Sequence, residues 1–238
     1  MKNKTLWKQV GAAAIAAAMV MSTVPATPVQ AAGGKTLAVS SQKQLNQALK
    51  TVKGKNAVIT VKAGKNVKIT IPKGTYKVTI RVVGKKAAVV NNGTVKEIVV
   101  NSKGTVAIKN NGTIKKVTVQ NAKSVSFSGN HKKAVPVVVN AEDVSMILAA
   151  PAKITAKKDV NIVLKKGAEK SSIPCTKNAQ AQVDNQTKKA ISVKIADGTT
   201  LKVESGESCT ITPKGKKEDT SGEDKTDGKD QKTDETSD

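Results

Sequence analysis

The sequence has very few aromatic, arginine, histidine and cysteine side chains. Aromatic residues make up 1% of its 238 residues, and it contains one histidine and two cysteines. Most metal sites and triad hydrolases need His, Cys or clustered carboxylates, so this shortage argues against both classes. Proteins that stack nucleotides need aromatic platforms, and the same shortage argues against them. The apolar residues are mostly Val, Ile and Ala with little Leu, which argues against a helical globular core.

Positive charge is abundant instead. The chain has 41 Lys and Arg residues against 18 Asp and Glu residues, a formal net charge of +23. The segment 213–238 has more acidic than basic residues and no apolar side chain beyond Pro213, so we expect it to be a disordered charged tail. The excess positive charge therefore belongs to residues 32–212. It indicates either attraction to a polyanion or a solubilising surface. With a single arginine and three aromatic residues, we expect no specific nucleic-acid binding.

The first 31 residues have the pattern of a secretory signal peptide. Three lysines precede a short apolar run from Val10 to Met21, and Val29 and Ala31 stand where signal peptidase requires small residues. The run is shorter than the roughly 20 apolar residues that span a bilayer. We expect cleavage after Ala31 and a secreted or cell-wall-associated protein with no membrane span in its mature form. A retained membrane anchor is the alternative.

A nineteen-residue repeat runs through the middle of the chain. Asn91–Lys96 recurs as Asn110–Lys115, and β-branched residues alternate with polar residues inside each unit. Such alternation is typical of strands with one buried face, and short units that cannot bury this face alone stack into a solenoid. The predicted columns are Ile98-Val117, Val100-Val119-Val138, Val106-Val125-Val144, Ile108-Phe127-Met146 and Asn92-Asn111-Asn130.

The sequence therefore predicts an all-β fold, a single-stranded parallel β-helix over 57–165 with about six turns of about 19 residues. A meandering β-sandwich is the alternative. Ser41 to Gln44 has the form of a capping box and precedes apolar residues at helical spacing, which predicts a helix at about 41–52 within an N-terminal cap, 32–56. Alternation between 191 and 211, with a turn at Asp197-Gly198, predicts a small antiparallel β cover within 166–212.

The two cysteines suggest one disulfide. In an exported chain, Cys175 and Cys209 would most simply pair and join an irregular stretch to the last strand of the cover. Two buried thiols are the alternative.

Three segments resemble a known family. Gln44–Leu49, the strand Val58–Val61 and the sequence Ile71-Pro72-Lys73-Gly74-Thr75-Tyr76 resemble the N-terminal part of right-handed parallel β-helix proteins of the pectate-lyase-like class. The valine-rich turns from 87 to 146 resemble β-helical segments of surface and secreted proteins of Gram-positive bacteria. The resemblance covers about 37–165 and rests on structural motifs, so it implies the fold more than the function. Lyases of this class use acidic clusters that hold calcium, and no acidic column forms here, so a non-catalytic member is implied.

Lysines at turns and outward strand positions are the candidate binding residues. They are Lys96, Lys103, Lys109, Lys115, Lys123, Lys132 and Lys133. We expect them to bind an anionic cell-wall polymer or an acidic polysaccharide, without catalytic residues, metal ligands or cofactors.

Two other functions stay open. A divergent polysaccharide-degrading lyase or hydrolase would need a pair of carboxylates, for which Asp143 and Asp159 are the candidates. A surface adhesin or matrix component would bind a protein. Among isolated residues, Tyr76 is a candidate sugar contact that more simply packs in a turn. Arg81 is expected to point outward, and His131 is expected in a solvated loop.

Overall fold

The structure is a computed structural model that describes residues 35–176, 179–194, 200–212 and 217–219. The predicted signal peptide, most of the predicted tail and the turn Asp197-Gly198 lie outside these residues. The helix is α1 (Gln42–Thr51). The strands are β1 (Lys35–Val39), β2 (Ala57–Ile71), β3 (Thr75–Asn91), β4 (Thr94–Asn110), β5 (Thr113–Ile114), β6 (Val117–Asn121), β7 (Ser124–Gly129), β8 (Val135–Val139), β9 (Val144–Ala149), β10 (Ala152–Ala156), β11 (Val160–Leu164), β12 (Ala181–Asn185), β13 (Ile191–Lys194), β14 (Thr200–Val203), β15 (Ser208–Ile211) and β16 (Lys217–Asp219).

Parallel strands form a β-solenoid of about eight turns, so the predicted parallel β-helix is confirmed. The main sheet runs in the order β1-β2-β3-β4-β7-β9-β11-β12, while β5, β6, β8 and β10 pair alongside this path. Both β1 and β12 join the parallel ladder, although they lie outside the expected range 57–165. The stack therefore has more turns than the six that the repeat suggested.

Alternate residues of each strand enter one continuous core. On β4, Ile98, Val100 and Val106 have no exposed surface, while Lys103 and Lys109 on the same strand are exposed. β-branched side chains suit these inward positions because they pack well on a pleated surface. Each turn needs the turns above and below to complete the burial of its apolar face, which is the reason that the units stack.

The nineteen-residue step holds from β4 to β6 and β7. Ile98 pairs with Val117, and Ile108 pairs with Phe127, as predicted. The predicted β-branched columns thus form the core of this part of the solenoid.

Beyond Gly129 the predicted register is wrong. Val119 pairs with Val139 rather than Val138. A shift of one residue reverses the face of a strand, so Val139 is buried and Val138 lies on the outer side. Two further columns change partners by two residues, which preserves the inward face: Val125 pairs with Met146 rather than Val144, and Phe127 with Leu148 rather than Met146.

The predicted N-terminal helix is confirmed, at Gln42–Thr51. The hydroxyl of Ser41 accepts a hydrogen bond from the Gln44 N–H at 3.3 Å, and Leu45 and Leu49 are buried against the solenoid. The side-chain amide of Gln42 pairs with both backbone groups of Thr70, at 2.6 and 2.8 Å. Since a bare strand edge invites pairing with other chains, these two bonds help to cover the first turn. Among the described residues, no helix is long and apolar enough to cross a membrane.

The predicted antiparallel cover is also confirmed. β12 pairs with β11 in parallel on one side and with β15 in antiparallel fashion on the other. β13 and β14 form a separate antiparallel pair. β16, which falls within the expected tail, pairs with β15. The change from parallel to antiparallel pairing ends the stack.

Two neighbouring residues of β4 can test which side of this strand faces the core. Ile108 is 1% exposed in the core, whereas Lys109 points outward. We expect Ile108→Ala to lower the free energy of unfolding by about 2–5 kcal/mol because it leaves a cavity among packed side chains. The matched variant Lys109→Ala should change it little. Urea denaturation of both variants measures the difference, and equal losses would contradict the register.

Candidate functional site

Three exposed lysines stack at one corner of the solenoid. Val95 pairs with Ile114, and the Lys115 N–H donates to the Val95 carbonyl at 3.2 Å, so Lys96 and Lys115 occupy the same corner on successive turns. Lys77 follows Tyr76, which pairs with Val95. The register shifts between Tyr76 and Thr79, so Lys77 lies on the preceding turn near Lys96 but within an irregular stretch. We call Lys77, Lys96 and Lys115 the first lysine column. Lys77 was missed because its turn reads Lys73-Gly74, without the Asn-Gly pair that marks the repeat.

A second lysine column lies at another corner and consists of Lys85, Lys103 and Lys123. The Lys123 N–H donates to the Gly104 carbonyl at 2.9 Å, which places Lys123 beside Gly104, the residue that follows Lys103. On the preceding turn the backbone of Lys85 approaches Gly104 so closely that a Cβ there would overlap the Lys85 carbonyl. Glycine is therefore needed for this stacking. All three lysines are exposed.

The remaining predicted lysines lie elsewhere. Lys109 projects from β4 beside Val90 and Ser128, and Lys132 and Lys133 lie in the turn between β7 and β8. The seven predicted lysines are all exposed, and the structure divides them among two columns, one strand face and one turn.

Ion pairs within the described residues join other lysines. They are Lys116 with Glu97 at 3.5 Å, Lys158 with Glu142 at 2.8 Å and Lys202 with Glu204 at 2.6 Å. The hydrogen bond and charge of Glu142 raise the pKa of Lys158. The seven predicted lysines are thus left to solvent or to a ligand in the part of the chain that the structure describes.

Two asparagine ladders run beside the first column. The side-chain amide of Asn111 donates to that of Asn92 at 3.0 Å, which is the predicted pairing for these two residues. A buried ladder was missed: the Asn91 amide donates to the Asn110 amide oxygen at 2.8 Å. The repeated Asn-Asn-Gly sequence contained the signal, because alternation along a strand turns the first of two adjacent asparagines inward.

His131 is not in a solvated loop, as we had expected, but is held between two turns. It is half-buried, with Nδ1 3.3 Å from the Asn110 carbonyl oxygen and Nε2 3.0 Å from the Pro151 carbonyl oxygen. Its ring lies 5.2 Å from that of Phe127. These carbonyls come from separate turns of the stack, so the sequence alone held no sign of them.

Tyr76 packs in its turn and also lines a cavity. Its hydroxyl donates to the Lys73 carbonyl at 3.2 Å. The cavity, of about 490 Å³, lies beside α1 and is also lined by Lys50, Lys53 and Lys73. Arg81 is half-buried, at an outward position between Thr60 and Val99 on the neighbouring strands.

The two candidate carboxylates come together. Asp143 and Asp159 line one cavity of about 190 Å³, since Val144 and Val160, which follow them, are paired. One oxygen of Asp159 accepts a hydrogen bond from the Gln180 N–H at 2.9 Å, so this carboxylate has a structural role. Within the described residues there is no group of three or more His, Cys, Asp or Glu side chains that could hold a metal ion.

The predicted disulfide is not formed between Cys175 and Cys209, both of which the structure describes. The Cys175 thiol points toward the Ile211 carbonyl oxygen, 3.8 Å from its Sγ, and Cys209 lies in β15 opposite Val183. Both residues are buried. Burial raises the pKa of the Cys175 thiol to about 11, and the charge of Asp159 adds to the effect.

Comparison of the chain with protein-family models, curated proteins and solved structures gives no match.

The cysteines provide a direct test of the structure. Because the thiolate is the nucleophile, only about a thousandth of Cys175 is reactive at pH 8 when its pKa is about 11. We expect both cysteines to resist iodoacetamide in the folded protein and to react in urea without a reductant. Mass spectrometry counts the added groups. Reaction in urea only after reduction would show a disulfide and contradict the structure.

Proposed function

We propose that this protein is an exported, non-enzymatic β-solenoid that binds an anionic cell-envelope polymer or an acidic polysaccharide through its lysines. One observation carries the proposal: exposed lysines recur at the same corners on successive turns and form two columns. A flexible polymer with one negative charge per repeat unit can lie along such a column and touch several lysines at once.

The electrostatics favour a polymer over a small ligand. Adjacent strands lie about 4.8 Å apart, so lysines on successive turns repel one another unless anions lie between them. A pair of charges 4 Å apart is worth only about 1 kcal/mol in water, and salt screens it. Affinity must therefore come from many ion pairs, and linking anionic groups in one chain provides the necessary effective concentration.

The proposed export of the protein and the kind of cell that produces it rest on sequence features. The charged and apolar pattern of residues 1–31 supports export. The segments Gln44–Leu49 and Gly74-Thr75-Tyr76 support a relation to the pectate-lyase-like class and to surface proteins of Gram-positive bacteria. Anionic wall polymers are the polyanions that an exported protein of such a cell would meet.

The lysine columns can be tested with a quadruple variant and a matched control. In the variant, Lys96, Lys103, Lys115 and Lys123 become alanine. In the control, four exposed lysines of later turns, Lys153, Lys157, Lys165 and Lys166, become alanine, so the net charge is the same. Because the variant removes four ammonium groups that would pair with the polymer, we expect its binding to Gram-positive cell walls to fall by about tenfold or more, and that of the control by much less. Sedimentation with purified walls measures both.

Two further conditions complete this experiment. Binding of the unaltered protein should fall steeply across a salt series and disappear when teichoic acid is stripped from the walls. Equal losses in the two variants would show that only total charge matters and would contradict a role for the columns. Binding that survives both high salt and stripping would contradict the whole proposal.

A polysaccharide-degrading enzyme is the second candidate, because Asp143 and Asp159 line one cavity. Glycosidases use two carboxylates that flank the bond to be cleaved. Our proposal expects no reducing ends from acidic polysaccharides incubated with the protein, and unchanged wall binding by the double variant Asp143→Asn, Asp159→Asn. Release of reducing ends that the double variant abolishes would establish the enzyme instead.

A further inference from the structure

The buried asparagine ladder ends at an unused hydrogen-bond donor. Asn91 Nδ2 donates to the amide oxygen of Asn110, and this oxygen also accepts the Gly112 N–H at 3.3 Å. Asn110 has no exposed surface, and its own Nδ2 has no acceptor among the described residues. A buried donor without a partner costs about 1–3 kcal/mol, so this position calls for an acceptor.

The sequence of the next turn explains why the ladder stops. Gly129 pairs with Asn110, so the position that would supply the next amide has no side chain. Two residues further on, His131 stands where the repeat has Gly112. A Cβ at Gly112 would overlap the Gly93 carbonyl of the turn before. A residue with a side chain therefore cannot follow the same path, and the turn from 129 to 135 departs from the repeat.

The altered turn borders a cavity of about 360 Å³. Its lining includes Asn110, Gly112, Thr113, His131, Lys132 and Lys133. The amide oxygen of Asn110 faces Asn91 on the preceding turn, so its Nδ2 is directed away from that turn. Asn110 is also one of the residues that line the cavity. Both ring nitrogens of His131 lie at backbone carbonyls, and no carboxylate lines the cavity.

This set of groups matches an anionic oxygen. Asn110 offers a buried N–H, Thr113 offers a hydroxyl, and Lys132 and Lys133 place two exposed ammonium groups at the rim. Charged acceptors form the stronger hydrogen bonds, and the low dielectric around a buried donor strengthens them further. The volume is at the lower end of the range for small-ligand sites, enough for one charged repeat unit.

We propose that this cavity binds one carboxylate or phosphate group, with Asn110 Nδ2 as donor and Lys132 and Lys133 as the attracting charges. As a subsite for one unit of a polymer, the site rests on the proposed function. It differs from the lysine columns in having a fixed, buried donor as well as mobile surface charge.

Nuclear magnetic resonance tests the site at the donor itself. The side-chain amide protons of Asn110 in the ¹⁵N-labelled protein are titrated with glycerol phosphate, with galacturonate and, as an ionic-strength control, with sodium chloride. Their signal is assigned by its loss in the isosteric variant Asn110→Asp. We expect a saturable shift with glycerol phosphate if the group is a phosphate and with galacturonate if it is a carboxylate. No saturable shift with either, or the same shift with chloride, overturns the site.

A lysine variant keeps the test decisive even if Asn110→Asp fails to fold. We expect Lys132→Ala with Lys133→Ala to weaken the saturable titration at least fivefold. The control, Lys165→Ala with Lys166→Ala, removes two adjacent exposed lysines of a later turn and should leave it unchanged. Equal weakening in both variants would overturn the assignment of Lys132 and Lys133.

The titration and the wall-sedimentation experiment fail independently. Wall binding without a saturable shift at Asn110 overturns the subsite and leaves the polymer proposal in place. A saturable shift without wall binding overturns the polymer proposal and leaves a site for a small anion.

Discussion

The backbone ladder between successive turns is the constraint on which the rest of this structure depends. In a parallel stack, each strand is hydrogen-bonded to the turn before and the turn after, so each residue is held about 4.8 Å from its counterparts. Any residue type that recurs at one position becomes a column. Inward valines and isoleucines then form the core, asparagines form ladders and lysines form rows of charge. The core and the candidate binding surface therefore follow from the same register.

Where hydrogen bonding between successive turns stops, the polar groups left at that point need other partners. At the first turn Gln42 provides them for Thr70, and at the last turn the antiparallel strand β15 provides them for β12. The buried asparagine ladder stops inside the stack instead, at Gly129, and its last donor is left over. The two ends of the solenoid are covered by protein. The end of the asparagine ladder borders a cavity instead, and this difference is why we propose a ligand there.

Local patterns in the sequence predicted the fold well. Strict alternation with β-branched residues identified the strands, the nineteen-residue repeat identified the stacking, and the Ser41–Gln44 box identified the helix. Such local patterns could not predict the register of the strands after Gly129. Val138 and Val139 are equally apolar, and the path of the preceding turn, in which His131 lies at the Asn110 carbonyl, decides which of them faces inward.

The candidate site was predicted in part, for a related reason. The seven lysines expected at turns and outward strand positions are all exposed, because exposure of a charged side chain follows from local patterns. Asn91 and Asn110 were missed as a buried pair because asparagine at a turn is usually satisfied locally, and here the partner is nineteen residues away. Repulsion between lysines on successive turns is weak in water, whereas each buried isoleucine or valine contributes about 1.5–3 kcal/mol. The stack can therefore keep lysines at consecutive corners without losing its fold. Charge columns of this kind cost the core little, so the residues of the outer face can vary without loss of the fold.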